Sequence, residues 1–159
     1  HNMVRKRAMD ILAKLEAYEA IRTVKARYCR YLDTKDWDGL ASIFTEDMVL
    51  DVQEDTGKPP IEGREAALAT IKWSVQDAKT AHQIHFPEIE LDGDEAHVIT
   101  PMQDRVVWAA GKSPVPGIAS ITGYGHYRER YVRQDGVWRI AHLKLARLHV
   151  DMFPEPVAG

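Results

Sequence analysis

Apolar positions recur at helical spacing between residues 9 and 32, where Ile11, Leu12, Leu15, Tyr18, Ile21, Val24, Tyr28 and Tyr31 alternate with charged positions. That pattern predicts an amphipathic helix. After DTKDWDG, the residues Trp37, Leu40, Ala41 and Phe44 stand at i, i+3, i+4 and i+7 and predict a second, short helix with Asp36 as its N-cap. A strand over 48–52 follows, then the turn-forming stretch EDTGKPP, then a third helix from Gly63 presenting Ala67, Leu68, Ile71 and Val75. Beyond Thr80 the pattern changes. Residues 83–91, 95–108, 118–133 and 137–150 are rich in Ile, Val, Tyr and Trp and read as strands. LDGDE and RQDGV join two pairs of them through Asp-Gly turns, while GKSPVPG predicts a longer, irregular connection. Helices first and antiparallel strands second predict an α+β fold, with three N-terminal helices on one face of a strongly curved, mostly antiparallel sheet. The proline-rich tail MFPEPVAG is expected to lie over the surface.

Composition narrows the classes. A chain of 159 residues fits one domain, expected over residues 3–151, with residues 1–2 reading as a tag remnant and 152–159 as a tail. Hydrophobic residues at 45% and charged residues at 28% exclude a disordered or collagen-like chain. A net charge of −3 gives no electrostatic footprint for nucleic acid or an anionic membrane. The single cysteine, Cys29, has no partner within the chain, and no apolar run nears 20 residues, so a cytoplasmic protein is expected.

Neither a Gly-rich phosphate loop nor a GxSxG elbow occurs. His82 and His85 invite a metal reading, but positions three apart on a strand point to opposite faces, so no metal is expected. Asp104 shares a strand face with Val98, Thr100, Met102 and Val106, and Arg147 shares one with Leu143 and Leu145. Charges on apolar faces are costly unless paired or used, so these two form either a structural bridge or part of a site. On spacing alone Tyr28 reads as a core aromatic, and Asp33 as a helix-end or turn residue more often than a catalyst. The two lie about 140° apart around an ideal helix and converge only if the helix ends near Leu32.

The segment EAIRTVKARYCRYLDTKDWDGLASIFTED, the H-x-x-x-x-P-E-I-E-L-D-G-D run from His82 to Asp94, and G-x-G-x-Y-x-E-x-Y leading into DGVWRI resemble the SnoaL-like family of the nuclear transport factor two-like superfamily. Within it, AIRTVKARYCRYLD, HQIHFPEIELD, QDRVVW, DGVW and LARLH are most similar to the bile acid 7-alpha-dehydratases. The scytalone dehydratases and hexachlorocyclohexane dehydrochlorinases resemble this chain more distantly. The likeness implies a cystatin-like α+β barrel with a cone-shaped pocket lined by Tyr28, Asp33, His82, Asp104 and Arg147. GKSPVPGIAS is unlike the corresponding loop, and His126 and the tail have no match in it.

The expected activity is a cofactor-independent dehydratase acting on a hydrophobic, steroid-like hydroxylated carbonyl compound. Asp33, His82 and Tyr28 would be catalytic, and Asp104 and Arg147 would bind substrate. An isomerase or polyketide cyclase on the same scaffold, or a non-catalytic binding module, are the alternatives. The resemblance implies a homotrimer, and Trp108, Tyr131 and Trp138 offer more aromatic surface than one inner face readily uses.

Overall fold

The structure, a computed structural model, describes residues 2–157. Among them the elements run α1 (Asn2–Asp33), α2 (Trp37–Ser42), β1 (Phe44–Asp51), α3 (Gln53–Thr56), β2 (Ile61–Glu62), α4 (Arg64–Val75), β3 (Ala78–Ile84), β4 (Glu88–Asp92), β5 (Glu95–Trp108), β6 (Ile118–Gln134) and β7 (Val137–Pro154). One curved mixed sheet forms in the order β2-β1-β7-β6-β5-β3, with β4 also on β5. Among the described strands only the β1–β7 pairing is parallel. Helix α1 lies along the inner face. Its Ile21, Val24, Tyr28 and Leu32, spaced to share one side of a helix, pack with Phe44, Met48, Tyr127, Tyr131, Ile140 and Leu143. No helix among the described residues is long and apolar enough to cross a membrane.

Several expectations hold in detail. Asp36 caps α2, its carboxylate accepting the Gly39 N–H at 2.9 Å. Helix α4 begins after Gly63 and β5 covers 95–108. Others need correction. Among the described side chains of α1 burial begins at Ala17, and Ile11, Leu12 and Leu15, placed on the buried stripe by periodicity, are exposed. Spacing reports which residues share a face, not whether anything covers that face. The strand expected over 83–91 is two collinear strands: β3 pairs with residues 102–108 of β5 and β4 with residues 95–99. They are separated at His85-Phe86-Pro87, where proline lacks the N–H a ladder requires. The turn stretch after β1 contains a one-turn helix, α3, so the described helices number four rather than three.

The tail also differs from expectation. Met152, Phe153 and Pro154 extend β7 and pair with Ile121, Ser120 and Ile118 at the far end of β6. The prolines stand only at its end, Pro154 as the last strand residue and Pro156 beyond it. Residues 158–159 of that tail, and His1 of the expected tag remnant, lie outside the described residues. Tyr131 and Trp138, offered as surplus surface, are buried in the core, and the Trp108 ring N–H donates to the Ser74 carbonyl at 2.8 Å. Aromatic count does not locate the outer face.

Candidate active site

The C-terminal end of α1 meets β3 at one carboxylate. The helix stops at Asp33, and Lys35 adopts φ 60°, the left-handed conformation that ends many helices. On β3, Thr80 and His82 are two residues apart and therefore share the face turned toward α1. His82 Nδ1 lies 2.7 Å from Asp33 Oδ1, and the His82 backbone N–H donates to Asp33 Oδ2 at 2.9 Å. The Thr80 hydroxyl donates to Asp33 Oδ1 at 2.9 Å and accepts from Lys35 Nζ at the same distance. Asp33 thus takes three hydrogen bonds from one strand. His85, on the opposite face, is exposed.

Burial opposes ionisation of Asp33, but the hydrogen bonds from the His82 ring and backbone, its charge and the Thr80 hydroxyl hold the carboxyl below its ordinary value of 3.8. The sign of the linkage follows. A folded value below the unfolded one contributes stability that is fully present above about pH 3.8 and is lost as pH falls below it through the folded value. Asp33→Asn is therefore expected to flatten the acid limb of stability. Urea midpoints taken from pH 6 down to about pH 2.5 check this, and an unchanged acid limb in the variant would show that Asp33 has no part in it.

Next to the pair, Asp104 of β5 stands directly across from His82 in the β3–β5 register, so the two side chains share a face. Arg147 of β7 crosses β6 to reach Asp104. Its Nη1 donates to Asp104 Oδ1 at 2.7 Å and its Nη2 to Oδ2 at 3.0 Å. On its other edge Nε and Nη2 donate to Asp55 Oδ1 and Oδ2 of α3, at 2.9 and 3.0 Å. The Arg147 backbone N–H donates to Glu54 at 3.2 Å beside a register shift between Tyr124 and Gly125. Burial disfavours the Arg147 charge, but these two forks outweigh it and keep the guanidinium charged.

The crossing needs Gly123. This residue pairs with Asp104 on one side and Val150 on the other, and a Cβ there would overlap Arg147 Nη1 and Asp104 Oδ1. Gly125, where a Cβ would overlap the Ala146 carbonyl, permits the same close approach to β7. Gly123→Ala should break the Asp104–Arg147 fork and cost about 1–3 kcal/mol, as overpacking does. A denaturant midpoint equal to wild type would show that the fork absorbs the methyl group.

Tyr28 completes the cluster. Its ring meets His82 edge-on at 6.4 Å between centroids and Tyr127 at 5.7 Å. Burial pushes the phenol well above its ordinary value, so it remains a protonated donor. Tyr28 and Asp33 are linked through His82, whose ring the phenol meets and whose Nδ1 the carboxylate contacts. All five residues singled out from the sequence therefore belong to one neighbourhood, while Thr80, Lys35, Asp55, Lys25 and Glu129 were missed. Tyr28 itself is buried. The Asp33 side chain is 23% exposed and that of His82 8%, so the pair meets solvent at the Asp33 end. Two hollows lie elsewhere along α1: one of about 40 Å³ lined by Lys25, Ile84, Val98 and Thr100, and a groove of about 510 Å³ between α1 and the β6–β7 turn. Cys29 is buried, which pushes its thiol up to about 11 and leaves little thiolate for nucleophilic work.

A family model for the SnoaL-like domain matches residues 13–144. The probable cyclase FGR4 of Gibberella zeae is 28% identical over 143 residues, covering 84% of this chain and 93% of that protein. Among solved structures, a scytalone dehydratase-like protein from Novosphingobium aromaticivorans superposes with a TM-score of 0.73 at 20% identity, covering 92% of this chain and 96% of its own. The hexachlorocyclohexane dehydrochlorinase LinA-type3 from Novosphingobium barchaimii gives 0.74 at 22% identity, covering 89% and 93%. At these identities the structural likeness establishes the fold alone.

Proposed function

This chain belongs to the SnoaL-like family, and from that premise we propose that it is a cofactor-independent dehydratase of a hydrophobic, hydroxylated carbonyl compound. The observation that carries the reading is the 2.7 Å contact between His82 Nδ1 and Asp33 Oδ1. With Asp33 ionised, that contact favours the tautomer bearing its proton on Nδ1, which leaves the Nε2 lone pair free to act as a base. Nε2 removes a proton adjacent or vinylogous to the carbonyl. The C–H electron pair enters the enolate, the C–O bond then breaks, and the departing hydroxide recovers the proton from the imidazolium as water. Tyr28 donates a hydrogen bond to the developing oxyanion or to the departing oxygen, where a placed donor counts most. Asp104 and Arg147 orient substrate. Elimination moves only protons and water, so neither a metal nor a redox cofactor enters this scheme.

Elimination and a steroid-like skeleton are what the resemblance of AIRTVKARYCRYLD and HQIHFPEIELD to the bile acid 7-alpha-dehydratases implies. The probable cyclase among the relatives supports a second reading, in which the same base performs a cyclisation or isomerisation without loss of water. A non-catalytic module fits less well, since it would gain nothing from an Asp/His pair so fully hydrogen-bonded. Trimeric assembly belongs to this reading too, and exposed Tyr124, Leu148, Met152 and Phe153 supply apolar surface for it. Incubation with a panel of hydroxylated enones and steroid-like ketones, followed by mass, tests the function. The expected result is loss of water from at least one compound with wild type and not with His82→Ala. Products of unchanged mass but altered retention would move the assignment to isomerase or cyclase, and no conversion across the panel would favour the binding module.

A further inference from the structure

The described residues hold a second buried charged cluster, behind Tyr28. Lys25 Nζ sits 3.6 Å from the Tyr28 ring centroid and 3.5 Å from that of Tyr127, and donates to Glu129 Oε2 at 3.1 Å. The second oxygen of Glu129 accepts from the Tyr131 hydroxyl at 3.2 Å. Lys25 is 3% exposed and Glu129 4%. Both positions belong to apolar patterns, Lys25 beside Val24 and Tyr28 on the inward side of α1, and Glu129 between Tyr127 and Tyr131 on the inner face of β6. Burial pulls the lysine down and pushes the glutamate up, each opposed by the charge of the other. A buried ion pair is a poor source of stability compared with apolar residues of similar volume. Packing alone therefore does not account for one here.

We propose that Lys25 and Glu129 are positioning residues for Tyr28: the ammonium, anchored by Glu129, holds the ring from one face and directs the positive end of the pair toward the catalytic neighbourhood. The proposal rests on the reading of Tyr28 as donor to a substrate oxyanion. The order of the charges is what makes it specific. The negative end faces Tyr131, and the positive end faces Tyr28, whose ring in turn meets His82. A cation over the face of a phenol draws electron density from the ring and strengthens O–H donation. A dipole fixed beforehand in a dry interior supports a developing negative charge without reorganising.

The test compares two flat probes of similar size, 4-nitrophenolate and nitrobenzene, the first carrying the oxyanion and the second lacking it. Binding is measured by absorbance and calorimetry at a pH where the phenol is ionised. Lys25→Met/Glu129→Gln removes both charges while keeping similar volumes and an acceptor for Tyr131. The expected result is an approximately tenfold loss of phenolate affinity with nitrobenzene affinity unchanged, a split that a general loosening of the core would not give. In a Tyr28→Phe background the same double substitution should add no further loss. Wild-type phenolate affinity in the double variant, equal loss for both probes, an undiminished loss in the Tyr28→Phe background, or no saturable phenolate binding to wild type would each overturn the proposal. The panel reads the reaction separately. Loss of water without a Lys25-dependent phenolate preference removes only this inference. The preference without any conversion removes only the dehydratase.

Discussion

His82→Ala is expected to lower turnover on the true substrate by about 10²–10⁴-fold, the range a placed general base contributes, with folding largely intact. The imidazole is held through Nδ1 by Asp33, so the substitution removes the base and leaves the strand ladder of β3 undisturbed. Asp33→Asn should reduce turnover as well, because an amide can present its N–H to the ring and favour the wrong tautomer, and because the charge that supports an imidazolium is lost. Steady-state rates of wild type and both variants on the converted compound measure this. Wild-type rates in His82→Ala would make the pair structural.

Lys25→Met alone is expected to cost about 3–5 kcal/mol, the usual result of leaving one buried charge without its partner. Glu129 would keep only the Tyr131 hydroxyl. Removing both charges in Lys25→Met/Glu129→Gln should restore most of that stability, because no ion is then left stranded. Thermal or urea unfolding of the single and double variants decides it. A single variant close to wild type would mean that Glu129 takes up a proton at little cost.

The sequence carried much of this architecture because its signals were local. Asp36 three residues before Gly39, Asp-Gly between apolar runs, and alternation in β5 each depend on a few neighbouring residues. The same alternation placed Asp104 and Arg147 on inner faces, where the structure finds them. What escaped notice depends on distant partners. Lys25 looked like one more charge on an amphipathic helix, and only its meeting with Glu129, 104 residues later, makes it a core residue. Gly123 and Gly125 carried a usable signal, since glycine inside a strand marks close backbone or side-chain approach, but the group approaching was Arg147 from the next strand. Asp55 lay in a stretch whose turn formers concealed a one-turn helix. The exposure of Ile11, Leu12 and Leu15 could not be read from periodicity, which is the same for a covered and an uncovered stripe.

The clasp on Arg147 also bears on the order of folding. Its guanidinium joins Asp104, 43 residues back, to Asp55, 92 residues back, and β7 supplies the parallel partner of β1 from the opposite end of the chain. Contacts this distant in sequence require large loops to close before they return any energy, and they slow folding. During synthesis α1 and the β3–β5 pairing can form while Asp104 is still without its cation. The site closes only when the last strand arrives, so an incomplete chain carries the acid/base pair without the clasp that flanks it.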